Sequence, residues 1–127
     1  MLQGLHHIAI ICSQYERSRH FYTQVLGGEV LAENIQAHRG TIKLDLMLPG
    51  GTQIELFHFP AAPARPSGPE AQGARHIAFK VIDIDAAKRH FEALGVRVES
   101  IRVDPYTQRR FTFMADPDGL PLELYEA

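Results

Sequence analysis

The sequence contains a single cysteine, no long apolar run and no marked excess of either charge. One cysteine, Cys12, cannot form an intramolecular disulfide, and no cysteine-rich zinc pattern is present. The apolar stretches are interrupted by charged residues and are far shorter than a membrane-spanning helix. The N-terminus lacks the cationic and apolar regions of a signal peptide. We therefore expect a cytoplasmic protein that does not bind membranes.

The charge balance argues against nucleic acid as a partner. Lysine and arginine number 13 and aspartate and glutamate 15, which gives a formal net charge of -2. Such a chain has no broad basic surface for contacts with phosphates. With 127 residues, of which 45% are hydrophobic, it can instead bury the core of one compact domain.

The two halves of the chain repeat each other. Residues 4–10 align with residues 73–79, so that His7 corresponds to His76. Residues 51–57 align with residues 119–125, so that Glu55 corresponds to Glu123. A proline-rich stretch separates the halves and is typical of a linker. We predict a single domain, 1–127, built from module one, 1–59, a linker, 60–72, and module two, 73–127.

Apolar periodicity and turn residues predict the same order of elements in both modules. In module one we expect strands near 5–12, 28–36, 41–48 and 52–59, with a helix near 15–26. In module two we expect a matching first strand, a helix that begins at Asp83 or Asp85 and ends near Leu94, and strands near 96–102, 110–115 and 120–126. Each module is thus a βαβββ unit whose sheet has one face covered by its helix.

Strand alternation places the repeated histidines and glutamates on the face away from the helix. Taken singly, a histidine or glutamate on a strand is usually solvated or locally hydrogen-bonded. The pattern occurs twice, however, and a carboxylate among apolar strand residues is costly to desolvate unless a cation neutralises it. Two imidazoles and two carboxylates suit Zn, Ni, Co, Mn or Fe, and this set of ligands does not choose among them.

The same residues carry a resemblance to a known family. The motifs are His7-Ile8-Ala9-Ile10, residues 18–22, Ile54-Glu55-Leu56, residues 75–79 and the closing run 116–123. They resemble the vicinal oxygen chelate superfamily, which includes glyoxalase I, extradiol dioxygenases, fosfomycin-resistance enzymes and bleomycin-binding proteins. The resemblance implies an α+β fold in which two paired βαβββ modules form a cup-shaped mixed sheet. It places the metal ligands on His7, Glu55, His76 and Glu123.

The resemblance is strongest to small bacterial glyoxalase-like proteins. It implies a lyase or isomerase with one divalent metal ion, Zn, Ni or Co in the first place and Mn or Fe as alternatives. In glyoxalase I the metal binds both oxygens of the substrate while a carboxylate removes the proton next to a carbonyl. On this basis Glu123 is the expected catalytic base and Glu55 the second candidate. A homodimer and a small vicinal-dioxygenated substrate, such as a 2-oxoaldehyde thiol adduct, are also implied.

Two positions leave the identity of the substrate undecided. Glutathione-using members of the superfamily place an arginine four residues after the first ligand histidine and an asparagine four residues after the first ligand glutamate. This chain has Ile11 and Phe59 there. Another metal-dependent activity, such as that of an extradiol dioxygenase or a resistance transferase, is an alternative. So is a non-catalytic small-molecule binding protein, although such members typically lack the ligands.

Two further features of the sequence concern the surroundings of the predicted site. The segment 102–110 carries Arg102, Tyr106 and Arg109, which we consider as binding residues for an anionic part of the substrate. A solvated hairpin loop is the competing interpretation of this segment. His6 is expected on the strand face opposite His7 and is interpreted as structural.

Overall fold

The computed structural model describes all 127 residues, which form two compact units, Met1–Ala64 and Arg65–Ala127. Each unit contains one four-stranded mixed sheet and one α-helix, and the prediction of an α+β fold built from two βαβββ modules is confirmed. Neither helix has the length and apolar character needed to cross a membrane.

The first unit follows the predicted order of elements. Strand β1 spans Ile8–Cys12, helix α1 spans Tyr15–His20 and continues as a π-helical turn over Phe21–Val25, and strands β2, β3 and β4 span Glu29–Gln36, Thr41–Met47 and Gln53–His58. The strand order is β1-β4-β3-β2. Strand β1 pairs in parallel with β4, and the remaining pairs are antiparallel. The parallel pair places the beginning of β1 beside the beginning of β4.

The second unit repeats this topology. Strand β5 spans Ile77–Val81, helix α2 spans Ile84–Ala93, and strands β6, β7 and β8 span Arg102–Val103, Arg110–Ala115 and Pro121–Glu126. The strand order is β5-β8-β7-β6, again with one parallel pair, β5 with β8. The side chain of Asp83 accepts a hydrogen bond from the backbone N–H of Ala86 and caps α2, which settles the predicted helix start.

The core of each unit lies on one face of its central strand. Ile54 and Leu56 of β4 have no exposed surface, and Leu122 and Leu124 of β8 are equally buried. Because side chains on a strand alternate between faces, Glu55 and Glu123 point to the opposite face of their sheets. The burial of the four aliphatic neighbours therefore fixes the direction of both glutamates.

Two of the predicted boundaries are wrong. The segment 96–102 forms a strand only at Arg102–Val103. The Lys88 ammonium donates to the carbonyls of Val98 and Glu99, and the Thr112 hydroxyl also donates to the Glu99 carbonyl. Side chains thus satisfy two of the carbonyls that a strand ladder would use, while the Glu99 N–H donates to the Phe113 carbonyl of β7 at 2.9 Å. At the N-terminus, β1 begins at Ile8 rather than near residue 5.

Gly28 is the point where the π-helical turn meets β2, and it has no room for a side chain. Its N–H donates to the carbonyl of Tyr22, at 2.9 Å, and a Cβ atom at Gly28 would lie 2.6 Å from that same oxygen. We expect Gly28→Ala to lower the free energy of unfolding by about 1–3 kcal/mol, the usual cost of overpacking. Urea denaturation measures the change.

The control for this prediction is Ser67→Ala, a change of similar size at an exposed position. It should alter the free energy of unfolding by less than about 0.5 kcal/mol. If Gly28→Ala unfolds at the same urea concentration as the wild type, the close approach to Tyr22 does not constrain the fold.

Candidate functional site

The first unit brings His7 and Glu55 together. Parallel pairing sets Ala9 of β1 beside Glu55 of β4, so His7, two residues before Ala9, reaches the same region of the sheet. The His7 Nδ1 atom lies 3.3 Å from Glu55 Oε2. Glu55 is buried, with only 9% of its surface exposed, whereas His7 is about a third exposed. We call this pair the first half-site.

Lys43 and Asp45 on the neighbouring strand β3 complete the surroundings of Glu55. The Lys43 Nζ atom lies 3.6 Å from Glu55 Oε1 and 3.6 Å from Asp45 Oδ1. Asp45 is the direct cross-strand partner of Glu55. The buried carboxylate therefore already has a cation beside it. The sequence shows polar residues alternating with apolar ones along β3. It does not show the strand register that places Lys43 and Asp45 next to Glu55.

His6 lies beside His7 rather than across the strand from it. Because β1 begins only at Ile8, the alternation that predicted opposite faces does not extend to His6, and that prediction is wrong. The Nδ1 atoms of the two histidines are 2.9 Å apart, and their rings meet edge to face with centroids separated by 5.2 Å. The first half-site thus has a second imidazole next to its predicted ligand.

The second unit brings His76 and Glu123 together in the equivalent way. Ala78 of β5 pairs with Glu123 of β8 as Ala9 pairs with Glu55. The His76 Nε2 atom lies 3.8 Å from Glu123 Oε2, and both side chains are largely covered. The His76 Nδ1 atom is buried and has no hydrogen-bond partner. We call this pair the second half-site.

The donor atoms of both half-sites have the chemistry and spacing of metal ligands. Two atoms bound to one ion at about 2.1 Å lie roughly 3–3.5 Å apart when the angle at the ion is between octahedral and tetrahedral. The separation in the first half-site, 3.3 Å, lies within this range, and that in the second, 3.8 Å, lies slightly beyond it. The unpartnered nitrogen of His76 is Nδ1, whereas Nε2 is the nitrogen that faces Glu123. Neither unit by itself contains three His, Cys, Asp or Glu side chains grouped closely enough to hold an ion.

The strand that carries Glu123 is anchored at its end by a charge cluster. Glu126 accepts hydrogen bonds from Arg110 of β7 and from the backbone N–H of Ile84 at the start of α2. Arg110 also donates to Asp85, at 3.0 Å. The hydrogen bonds from Arg110 are the main reason that the pKa of Glu126 lies below its ordinary value. The cluster ties β8 to both β7 and α2, which holds Glu123 in register.

A cavity of about 610 Å³ in the second unit contains the second half-site. Its lining includes His76, Glu123, Glu99, Arg102, Phe111 and Phe113. The guanidinium carbon of Arg102 lies 5.0 Å from the centre of the Phe111 ring and 5.8 Å from that of Phe113. Neither phenylalanine was singled out from the sequence. Their cross-strand pairing with Tyr125 and Glu123, which gives them the same face of the sheet, emerges only with the register.

Of the three substrate-binding residues considered from the sequence, only Arg102 lines this cavity. Tyr106 and Arg109 lie in the exposed connection between β6 and β7. The side chain of Asp104 organises this connection. It accepts hydrogen bonds from the Tyr106 N–H and from the Tyr125 hydroxyl, and the first of these chiefly lowers the pKa of Asp104. The connection is therefore built as an ordered turn.

Comparison with known proteins identifies the family. Residues 4–124 match the Glyoxalase/Bleomycin resistance protein/Dioxygenase superfamily. The chain belongs to this superfamily. It is 57% identical to the uncharacterized protein YaeR of Escherichia coli, over 98% of this chain and 97% of that protein. It is also similar to a glyoxalase family protein from Enterococcus faecalis of known crystal structure, with 46% identity, 98% of both chains covered and a TM-score of 0.91.

More distant superfamily members have named activities. A 2-epi-5-epi-valiolone epimerase from an Actinomyces species is 33% identical over 95% of this chain and 78% of its own. An ethylmalonyl-CoA/methylmalonyl-CoA epimerase from Cereibacter sphaeroides is 34% identical over 77% of this chain and 75% of its own. The fosfomycin resistance protein FosX from Listeria monocytogenes, crystallised with Mn(II), shares the fold with a TM-score of 0.74 and 18% identity, over 100% of this chain and 94% of its own. Two of these similar proteins therefore carry epimerase names, whereas FosX shows a likeness of fold.

Proposed function

We propose that this protein is a metal-dependent lyase or isomerase of the glyoxalase I type. In this proposal the first and second half-sites together bind one divalent ion, and the substrate is a small molecule with two adjacent oxygens. The reaction moves a proton from a carbon next to a carbonyl.

The observation that carries the proposal is the equivalence of the half-sites. Each unit places a histidine just before its first strand and a glutamate on its last strand, with the same alanine–glutamate pairing beneath them. A structural role for one such pair is ordinary, because a single histidine or glutamate on a strand is usually solvated or hydrogen-bonded locally. The same pair in both units, with largely covered carboxylates, supports a shared ligand-binding role.

The chemistry of the four side chains suits proton transfer. When bound, a divalent ion supplies a Lewis acid that stabilises negative charge on substrate oxygens. Glu123 accepts the proton from the substrate carbon and returns it to a neighbouring carbon, and Glu55 is the second candidate for this role. Glu55 is buried and the Glu123 side chain is only 15% exposed, which limits contact between bulk water and the two carboxylates. Zn, Ni and Co are our first candidates for the ion, followed by Mn and Fe.

An epimerase is the second candidate function. Two relatives more than 30% identical to this chain carry epimerase names. Epimerisation next to a carbonyl uses the same proton abstraction but returns the proton to the same carbon from the other side. The two carboxylates, Glu55 and Glu123, would then act as proton acceptor and proton donor.

A homodimer is part of the proposal. Every residue of β2 is exposed, including the apolar Leu31 and Ile35. An exposed apolar edge strand is typical of a surface that a second chain covers.

The test combines a metal titration with a proton-exchange assay. Apoprotein prepared with a chelator should bind close to one Zn, Ni or Co ion per chain in calorimetry. The loaded protein should then convert the hemithioacetal of methylglyoxal and glutathione, or should exchange the α-proton of a 2-methyl-branched malonyl thioester for deuterium in D₂O, as followed by NMR. Conversion to a thioester product supports the lyase, whereas deuterium incorporation with inversion supports the epimerase.

Two outcomes would contradict the proposal. Absence of stoichiometric binding with all five metals would remove the metal centre. Stoichiometric binding without deuterium exchange in any substrate that offers adjacent oxygens would remove proton transfer and favour a binding protein.

A further inference from the structure

We propose that the cavity in the second unit selects substrates that carry a carboxylate, and that Arg102 is the residue that binds it. The inference deepens the proposed function, on which it rests, by naming the chemical class of the substrate. The carboxylate would lie at the Arg102 end of the cavity, and the reacting part of the molecule at the His76 and Glu123 end.

Two phenylalanine rings connect these ends. Arg102 lies over Phe111 and Phe113. The ring of Phe113 in turn meets the His76 ring edge to face, with centroids 5.1 Å apart, and is the cross-strand partner of Glu123. The surface between the guanidinium and the second half-site is therefore apolar and only two ring contacts long. A short hydrocarbon segment of a few carbons can span it.

The Arg102 guanidinium is both held in place and able to bind a ligand. Its guanidinium carbon lies 5.0 and 5.8 Å from the two ring centres, and these contacts favour this position of the side chain while its N–H groups can still reach a ligand. One terminal nitrogen donates to Glu99 Oε1 at 3.2 Å. Both of these side chains are more than half exposed, and an exposed ion pair of this kind contributes little free energy. A carboxylate can therefore form a bidentate pair with Arg102 at the expense of Glu99.

The other cations of the cavity are less suited to this role. Arg75 is 72% exposed and pairs with Glu70 at 3.4 Å, while Arg65 donates to the Ser67 hydroxyl. Neither has a ring contact that fixes its guanidinium. Arg102 alone combines a fixed orientation with contact to the wall that carries the second half-site.

The test uses two probes of nearly the same shape, 3-phenylpropanoate and 3-phenylpropanamide, of which only the first carries a charged carboxylate. The metal-free measurement tests Arg102 alone, because a carboxylate can also bind Zn directly, and its failure is therefore distinguishable from a failure of the proposed metal centre. Calorimetry on the full chain, with and without Zn, should show that the wild type binds the acid at least about 10-fold more tightly than the amide, as expected for hydrogen bonds to a charged group. The Nε–H signal of Arg102 in the ¹⁵N NMR spectrum should shift with the acid only.

Variants separate recognition from folding. Arg102→Met keeps a long side chain on the phenylalanine rings and should reduce the preference for the acid to less than about two-fold. Arg97→Met, at an exposed arginine outside the cavity lining, should leave the preference unchanged. Glu99→Gln removes the competing carboxylate and should tighten binding of the acid by about two- to five-fold.

Three results would overturn the inference. The first is equal binding of acid and amide by the wild type, and the second is an undiminished preference in Arg102→Met. The third is a preference of more than about 10-fold for 2-phenylethylphosphonate over the carboxylate, measured where both carry one charge. That result would assign the cavity to phosphonates instead.

Discussion

Replacing Glu123 by glutamine should lower turnover by about 10²- to 10⁴-fold, the range typical of losing a general base. Glutamine keeps the shape of the side chain but cannot accept a proton from carbon. The buried neighbours Leu122 and Leu124 are unchanged, so the strand should retain its packing. The measurement is kcat for the substrate that the proton-exchange assay identifies, together with the rate of deuterium exchange.

Glu92→Gln provides the matched control, because Glu92 is an exposed glutamate on α2. It should retain full turnover. A Glu123→Gln variant with more than a tenth of wild-type activity and an unchanged circular dichroism spectrum would show that Glu123 isn't the base. In that case Glu55→Gln becomes the decisive variant, since Glu55 is the second candidate.

Removal of either predicted histidine should weaken metal binding by at least about 100-fold. Changes outside the immediate ligands of a metal typically cost 10- to 100-fold in affinity, so the loss of a ligand should cost at least as much. His7→Ala and His76→Ala are the two variants, and competition with a chelating dye at fixed pH measures the dissociation constant. Both side chains are partly exposed, and their removal should leave the fold intact.

His38→Ala is the control, because His38 is exposed in the turn between β2 and β3. It should bind metal as the wild type does. If only one of the two ligand variants loses affinity, the ion is bound by a single unit, and the pairing of half-sites is wrong. The contact between His6 and His7 makes His6→Ala the informative follow-up if His7→Ala retains affinity.

Much of the fold was predictable because alternation and turn residues act locally. Strands β3, β4, β7 and β8 lie within a residue or two of their predicted bounds, and Asp83 caps α2 as its position suggested. The failure at 96–101 has a non-local cause. Lys88 on α2 and Thr112 on β7 donate hydrogen bonds to the carbonyls of Val98 and Glu99. Nothing within residues 96–101 indicates that distant side chains bind these carbonyls.

The candidate site also has one part that the sequence predicts and one part that depends on non-local strand pairing. The internal repeat was sufficient to choose His7, Glu55, His76 and Glu123, since their equivalence is a property of the sequence alone. The neighbours of these residues depend on strand register. Lys43 and Asp45 lie next to Glu55 because β3 pairs with β4 in one particular alignment, and a shift of one residue would turn them to the other face. Phe111 and Phe113 reach the cavity for the same reason.

The proposed function draws metal ligands from both units, and this has a consequence for the amount of the protein in the cell. A ligand that binds only the folded state adds to its stability in proportion to the logarithm of its free concentration, about 2.7 kcal/mol at 100 times the dissociation constant. An ion bound through both units would also tie them to each other. When that ion is scarce, a larger fraction of the chain would be unfolded and would be degraded faster. The abundance of the protein would then depend on the supply of the ion.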